Sequence, residues 1–160
     1  MKAEIRTIGI LLTMKCNVNC RMCCFECGPT RSEAITREQA TRIIEQAASY
    51  RDSGHPGLKT IAFSGGEVTL RFQDLLELIR CSSAHGFKAN PTTNGSWGDT
   101  QEKSDAYVRK FKDAGLNKLS LSFDNFHNEN IPASSIANVV RSTKKYVIQC
   151  DMGSIITHSE

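Results

Sequence analysis

The feature that most narrows the fold of this chain is a rhythm: short apolar runs alternate with amphipathic stretches. Residues 8–13, 60–63, 87–93, 119–124 and 146–152 read as five strands, and Ile155 and Ile156 are taken to extend the last. Between the first two, Ala40, Ile43, Ile44, Ala47 and Ala48 recur at helical spacing behind a capping box of Thr36 and Gln39. Phe72, Leu75, Leu76 and Ile79 form a second stripe, with Gly86 at its C-terminal cap. Tyr107, Val108, Phe111 and Ala114 form a third, closed by Gly115, and Ile136, Val139 and Val140 a fourth, with Pro132 in its first turn. Pro91 lies inside the third strand, where a proline costs a ladder hydrogen bond. Strand–helix units of roughly 30 residues imply a parallel sheet with right-handed crossovers. A closed eight-unit barrel needs about 250 residues, and this chain has 160. The fold class predicted is therefore α/β, an incomplete parallel (β/α) barrel of about five strands, in a single domain over residues 1–160 that is either compact as it stands or cut off before its last β/α unit.

Composition trims the functional field. Hydrophobic residues make up 39% and charged residues 23%, as in a soluble globular protein. Twenty Lys plus Arg against seventeen Asp plus Glu leaves +3, too weak a balance to argue for nucleic acid or a membrane surface. No stretch approaches the roughly 20 apolar residues of a membrane span. The apolar start at residues 8–12 has no small-residue cleavage site after it, so it reads as a strand and not a signal peptide. Seven cysteines are present, and five fall between Cys16 and Cys27. An odd, crowded set is a poor disulfide framework; a metal or cluster site in a reduced compartment, the cytoplasm, fits better.

The polar motifs fall after successive strands, where chemistry gathers in parallel α/β folds. After the first come Cys16, Cys20 and Cys23. Three thiolates so spaced can wrap one face of an inorganic cluster; a [4Fe–4S] cube normally takes four, so three leave one iron open. The competing reading is a structural zinc, with Cys27 or Cys24 as fourth ligand. After the second strand comes Ser64-Gly65-Gly66-Glu67. Its glycines would let a ligand approach the backbone and its acid could hold a cation, or it is only a tight turn. Thr92-Thr93-Asn94-Gly95 follows the third strand. Ser122 and Asp124 follow the fourth, whose polar alternation points to solvent or to a lined cavity.

Together these residues resemble the radical S-adenosylmethionine (SAM) superfamily. The cysteine triplet matches its CxxxCxxC loop, and Ser64-Gly65-Gly66-Glu67 looks like its GGE motif, with Val68 where proline is common. Residues 153–160 are similar to its GxIxGxxE pattern, with Thr157 in place of the second glycine. The resemblance implies that Cys16, Cys20 and Cys23 ligate a [4Fe–4S] cluster and that SAM chelates the fourth iron. It implies that Gly65, Gly66 and Glu67 receive the methionine ammonium, and that the Met22 backbone meets the adenine. Ser122 and Asp124 would contact the ribose, and Ile155 belongs to the same cofactor-binding set. Reductive cleavage of SAM would give a 5′-deoxyadenosyl radical for hydrogen abstraction, with a reductant such as flavodoxin or ferredoxin supplying the electron.

A peptide or protein substrate is suggested by Asp124-Asn125-Phe126-His127, which resembles a segment of peptide-modifying members; His127 is either a proton donor or a loop residue. The alternatives are a glycyl-radical-enzyme activase and a non-catalytic zinc-binding interaction module. Cys24, Cys27, Cys81 and Cys150 read as packed thiols. Trp97 either walls the cavity or caps the helix that follows.

Overall fold

The structure is a computed structural model that describes residues 4–156. In chain order its elements are β1 (Thr7–Thr13), α1 (Arg37–Asp52), β2 (Thr60–Gly65), α2 (Phe72–Ala84), β3 (Lys88–Thr93), α3 (Gln101–Asp113), β4 (Lys118–Ser122), α4 (Asn125–Asn128), α5 (Ala133–Lys145) and β5 (Gln149–Gly153). All strand pairs are parallel, and the strand order is the chain order. Each crossover therefore steps the same way, and crossovers of one hand put the helices on one face of the sheet.

Period-two alternation decides what each face carries. Ile10, Leu12, Ile61, Phe63, Leu119 and Leu121 turn toward the helices and are buried. The intervening residues form the open face, where Leu11 stands beside Ser64 and Ser120 lies between Thr92 and Asp151. Burying Phe63 and Phe111 completely contributes roughly 1.5–3 kcal/mol each. The capping box of Thr36 and Gln39 is present in both directions. Gly86 and Gly115 take the left-handed backbone, at φ 76° and 93°, where helices α2 and α3 turn into the next strand. Asp105 fastens α3 to α5: its carboxylate accepts from Lys145 Nζ and Ser142 Oγ, both at 2.6 Å.

Several boundaries differ from the sequence reading. Pro91 is tolerated because β3 hands over there: its ladder with β2 ends at Pro91 and its ladder with β4 begins at Thr92. Strand β5 starts at Gln149, not at residue 146. Tyr146 still caps α5, and Val147 takes a left-handed φ of 54° that breaks any extended run. Ile155 and Ile156 do not extend β5; they lie beyond it and are exposed. Pro132 is the N-cap of α5 with extended backbone, one position before its first turn. Strand β4 ends at Ser122, and Asp124 caps the short helix α4 where only a loop is expected. Trp97 is buried, stacks on Tyr107 at 5.0 Å, and donates from Nε1 to Thr93 Oγ1 at 3.0 Å. It is a core residue and neither walls the cavity nor caps the next helix.

Candidate active site

The cysteine loop leaves β1 at Thr13 and returns at Gly28. Its neck is a small backbone ladder: Cys16 N–H donates to Gly28 O at 3.1 Å, and Gly28 N–H to Met14 O at 3.3 Å. Within it, Cys23 N–H donates to Cys20 O at 3.2 Å and Glu26 N–H to Cys23 O at 3.1 Å, so the chain coils into consecutive turns that bring the thiols round one wall. The turn after β2 is stitched to this loop. Gly66 N–H donates to Thr13 O at 2.6 Å and Glu67 N–H to Lys15 O at 2.9 Å. A side-chain carbon on Gly65 would stand 2.2 Å from Thr13 O, and one on Gly66 would stand 2.0 Å from Lys15 O. Packing against the cysteine loop thus requires both glycines. That is a different cause from the ligand approach inferred from the sequence.

The loop and the strand ends enclose a cavity with about 790 Å³ of space, counted to its open mouth. Cys16, Cys20 and Cys23 line it, as do Gly65, Gly66 and Ser122. Met22 and Ile155 stand at the rim, both well exposed, together with Phe25. Cys24 and Cys27 also reach the wall, but differently: Cys27 is buried as expected, whereas Cys24 is exposed and is not a packed thiol. Cys81 and Cys150 are part-buried against the core. Thr157 and Glu160 of the last motif lie outside the described residues.

Two of the expected contacts sit behind the wall. Glu67 is 1% exposed and does not line the cavity. Its Oε1 accepts from Thr69 N at 3.0 Å, Thr69 Oγ1 at 2.5 Å and Thr93 Oγ1 at 2.7 Å, and its Oε2 accepts from Asn94 N at 2.8 Å. Burial pushes this carboxyl above its ordinary value, and the four donors pull against that. Asp124 is also turned inward: Oδ1 accepts from His127 N at 3.0 Å and pairs with His127 Nδ1 at 2.8 Å, while Oδ2 accepts from Ile155 N at 3.1 Å. Burial raises its pKa, but the bonds from Ile155 and His127 outweigh that and hold the carboxyl below its ordinary value. Asp124 therefore presents His127, which lines the cavity, and ties the segment after β5 to the end of β4.

Asn94 is the wall residue whose role the sequence hid. Its side-chain amide reaches Cys16 Sγ at 3.7 Å and Asn17 Oδ1 at 3.0 Å. An Asn–Gly pair after a strand signals only a turn, so its alignment with the first cysteine comes from the tertiary fold.

The donor set suits an iron–sulfur cluster with a cationic ligand. Burial pushes the Cys16 and Cys20 thiols above their ordinary value, and nearby acidic and thiol groups add to it. Among the described residues lining the cavity there is no lysine or arginine. Charged thiolates here need positive charge from what binds. Nor do any three His, Cys, Asp or Glu side chains among the described residues gather closely enough for a single metal ion.

The comparisons with known proteins agree. The family model "Radical SAM superfamily" matches residues 10–150. YydG of Bacillus subtilis, a protein named for peptide biosynthesis, is 28% identical over 141 residues, covering 88% of this chain and 43% of its own length. A protein of Methanococcus maripaludis named as a GTP 3′,8-cyclase is 30% identical over 144 residues, covering 89% of this chain and 44% of its own length. The chain thus spans less than half the length of these curated relatives. The crystal structure of methylornithine synthase (PylB) superposes with a TM-score of 0.66 at 15% identity, over 94% of this chain and 45% of that one. That likeness is one of fold. No helix among the described residues is long and apolar enough to cross a membrane.

Proposed function

This chain belongs to the radical SAM superfamily, and we propose that it binds a [4Fe–4S] cluster and SAM for radical hydrogen abstraction, with a peptide or protein as substrate. One observation carries the reading: Cys16, Cys20, Cys23, Gly65, Gly66 and Ser122, from the ends of β1, β2 and β4, open onto one cavity whose described lining has no lysine or arginine. When bound, the cluster supplies the electron, drawn from a reductant such as flavodoxin or ferredoxin, that cleaves SAM to methionine and a 5′-deoxyadenosyl radical.

The chain's own residues do the holding. Cys16, Cys20 and Cys23 would hold the cluster, and an iron they leave unligated would be open to the amino and carboxylate groups of SAM. The backbone at Gly65 and Gly66 would accept from that same amino group, and the Glu67 backbone N–H keeps the turn seated on the cysteine loop. The Met22 backbone stands by the adenine and Ser122 by the ribose. Asp124 holds Ile155 and His127 at the same end of the cavity.

The peptide is supported by the relative named for peptide biosynthesis and by the exposed apolar rim of Met22, Phe25 and Ile155. The relative named as a GTP cyclase favours a nucleotide instead. Anaerobic reconstitution with iron and sulfide tests the core of the proposal. A brown protein with one cubane per chain, whose reduced paramagnetic resonance spectrum changes when SAM is added, is the expected result. A colourless protein holding one zinc overturns it. The reconstituted protein is then given a panel of short peptides or GTP, and 5′-deoxyadenosine formation is followed. Stimulation by peptide and not by GTP is expected; the reverse replaces the peptide reading with the nucleotide one.

A further inference from the structure

We infer that the Asn94 side-chain amide donates a hydrogen bond to the Cys16 sulfur and, by doing so, raises the reduction potential of the cluster held there. This rests on the cluster assignment of the preceding section and concerns a residue outside the cysteine loop.

The amide is fixed at every polar atom. Asn94 is 6% exposed. Its backbone N–H is held by Glu67 Oε2 at 2.8 Å. Its Oδ1 accepts from Ser96 N at 3.0 Å, which leaves Nδ2 facing the cysteine loop. The two Nδ2 hydrogens then go to Cys16 Sγ at 3.7 Å and Asn17 Oδ1 at 3.0 Å. Asn17 is oriented in turn, because its own Nδ2 donates to Ser96 Oγ at 2.8 Å. A flipped amide would set its oxygen against Asn17 Oδ1 and its nitrogen against Ser96 N–H. The network therefore selects the donor orientation.

The position is electrostatically effective. Cys16 is the most buried of the three cysteines, the other two being part-buried. A dipole aimed at a sulfur there is poorly screened. Among the described residues Asn94 is the one side-chain amide that donates to Cys16 Sγ; the backbone at Val18 and Asn17 also bonds that sulfur, and the Cys27 backbone N–H stands 3.3 Å from Cys23 Sγ. One-electron reduction adds negative charge to the cluster and its sulfurs. A donor at the sulfur stabilises the reduced form more than the oxidised one and moves the potential upward.

The test is a dithionite titration of the reconstituted protein, monitored by paramagnetic resonance, with iron and sulfide counted on each sample. Asn94→Asp keeps the oxygen that caps Ser96 and removes the donor. Asn94→Leu removes the donor without adding charge. Ser96→Ala breaks the Asn17–Ser96 bond and leaves the donor in place. The expected result is a full cluster in all three, a midpoint shifted to more negative potential in both Asn94 variants, and an unshifted midpoint in Ser96→Ala. An unchanged midpoint in the Asn94 variants overturns the inference. So does an equal shift in Ser96→Ala, which would mean a general disturbance of the loop. Loss of the cluster from both Asn94 variants also overturns it, because Asn94 would then assemble the site and not tune it. Unsubstituted protein that takes up no iron refutes the cluster assignment itself, a separate and recognisable failure.

Discussion

Glu67 Oε2 accepts the backbone N–H of Asn94 at 2.8 Å, so the turn after β2 holds the turn after β3. The other carboxylate oxygen takes Thr69 and Thr93, and the Glu67 backbone N–H donates to Lys15 O in the cysteine loop. One buried acid thus joins three strand ends beneath the cavity.

Glu67→Gln replaces one acceptor oxygen by a donor facing Asn94 N–H or the hydroxyl of Thr93. A buried donor left without an acceptor costs about 1–3 kcal/mol. Urea unfolding of the cluster-free protein should show a loss of that size. A change below about 0.5 kcal/mol, the scatter of an ordinary surface substitution, would mean that the carboxylate is not holding the turns.

The cysteine assignment separates cleanly by position. Cys16→Ala, Cys20→Ala and Cys23→Ala should each abolish retention of iron and sulfide after anaerobic reconstitution and desalting. Cys24→Ala and Cys27→Ala should largely spare it. Cys24 is exposed, and Cys27 is a buried thiol pushed by burial and by Cys23 to about 11. Full loss of the cluster in Cys27→Ala would refute the three-ligand assignment.

The sequence displayed these elements unevenly, for physical reasons. The capping box at Thr36 and Gln39 is local chemistry and could be read directly, as could the period-two burial of Leu119 and Leu121. The start of β5 could not, because a left-handed Val147 is imposed by the turn from α5 and has no residue signature. Helix α4 is a single turn whose cap, Asp124, looks the same in sequence as a ligand-binding acid. At the site, the residue types and strand ends were readable. The inward aim of Glu67 and Asp124 was not, since it depends on Thr93, Asn94 and Ile155 arriving from other elements. The glycines have a second requirement that only the fold shows: the carbonyls of Thr13 and Lys15 lie where a side-chain carbon would stand.

Asp124 makes a different prediction, about order at the rim. Asp124→Asn places an amide nitrogen against Ile155 N–H or the His127 donors. The Ile155 amide should then exchange with deuterium about tenfold faster, equivalent to about 1.4 kcal/mol of local stability. SAM affinity measured by calorimetry on the reconstituted protein should weaken, with iron content unchanged. Unaltered exchange at Ile155 would show that the carboxylate does not tie the segment.

The pH dependence of stability should carry the mark of the α3–α5 clamp. Lys145 and Ser142, hydrogen-bonded to the Asp105 carboxyl, lower its pKa to about 2, against about 3.9 in an unfolded chain. A depressed carboxyl stabilises the fold above its unfolded value, and that contribution is lost as pH falls through the folded one. Between about pH 4 and about pH 2, the urea midpoint of the unsubstituted protein should therefore fall more steeply than that of Asp105→Asn. Parallel curves would remove Asp105 from the account.

The most direct measurement is chromatography for 5′-deoxyadenosine after the anaerobically reconstituted protein is reduced with dithionite in excess SAM. A thiol-lined cavity that holds a [4Fe–4S] cluster and SAM should yield 5′-deoxyadenosine and methionine in equal amounts, and Cys20→Ala should yield none. A protein that binds zinc in place of iron and leaves SAM intact would contradict the account.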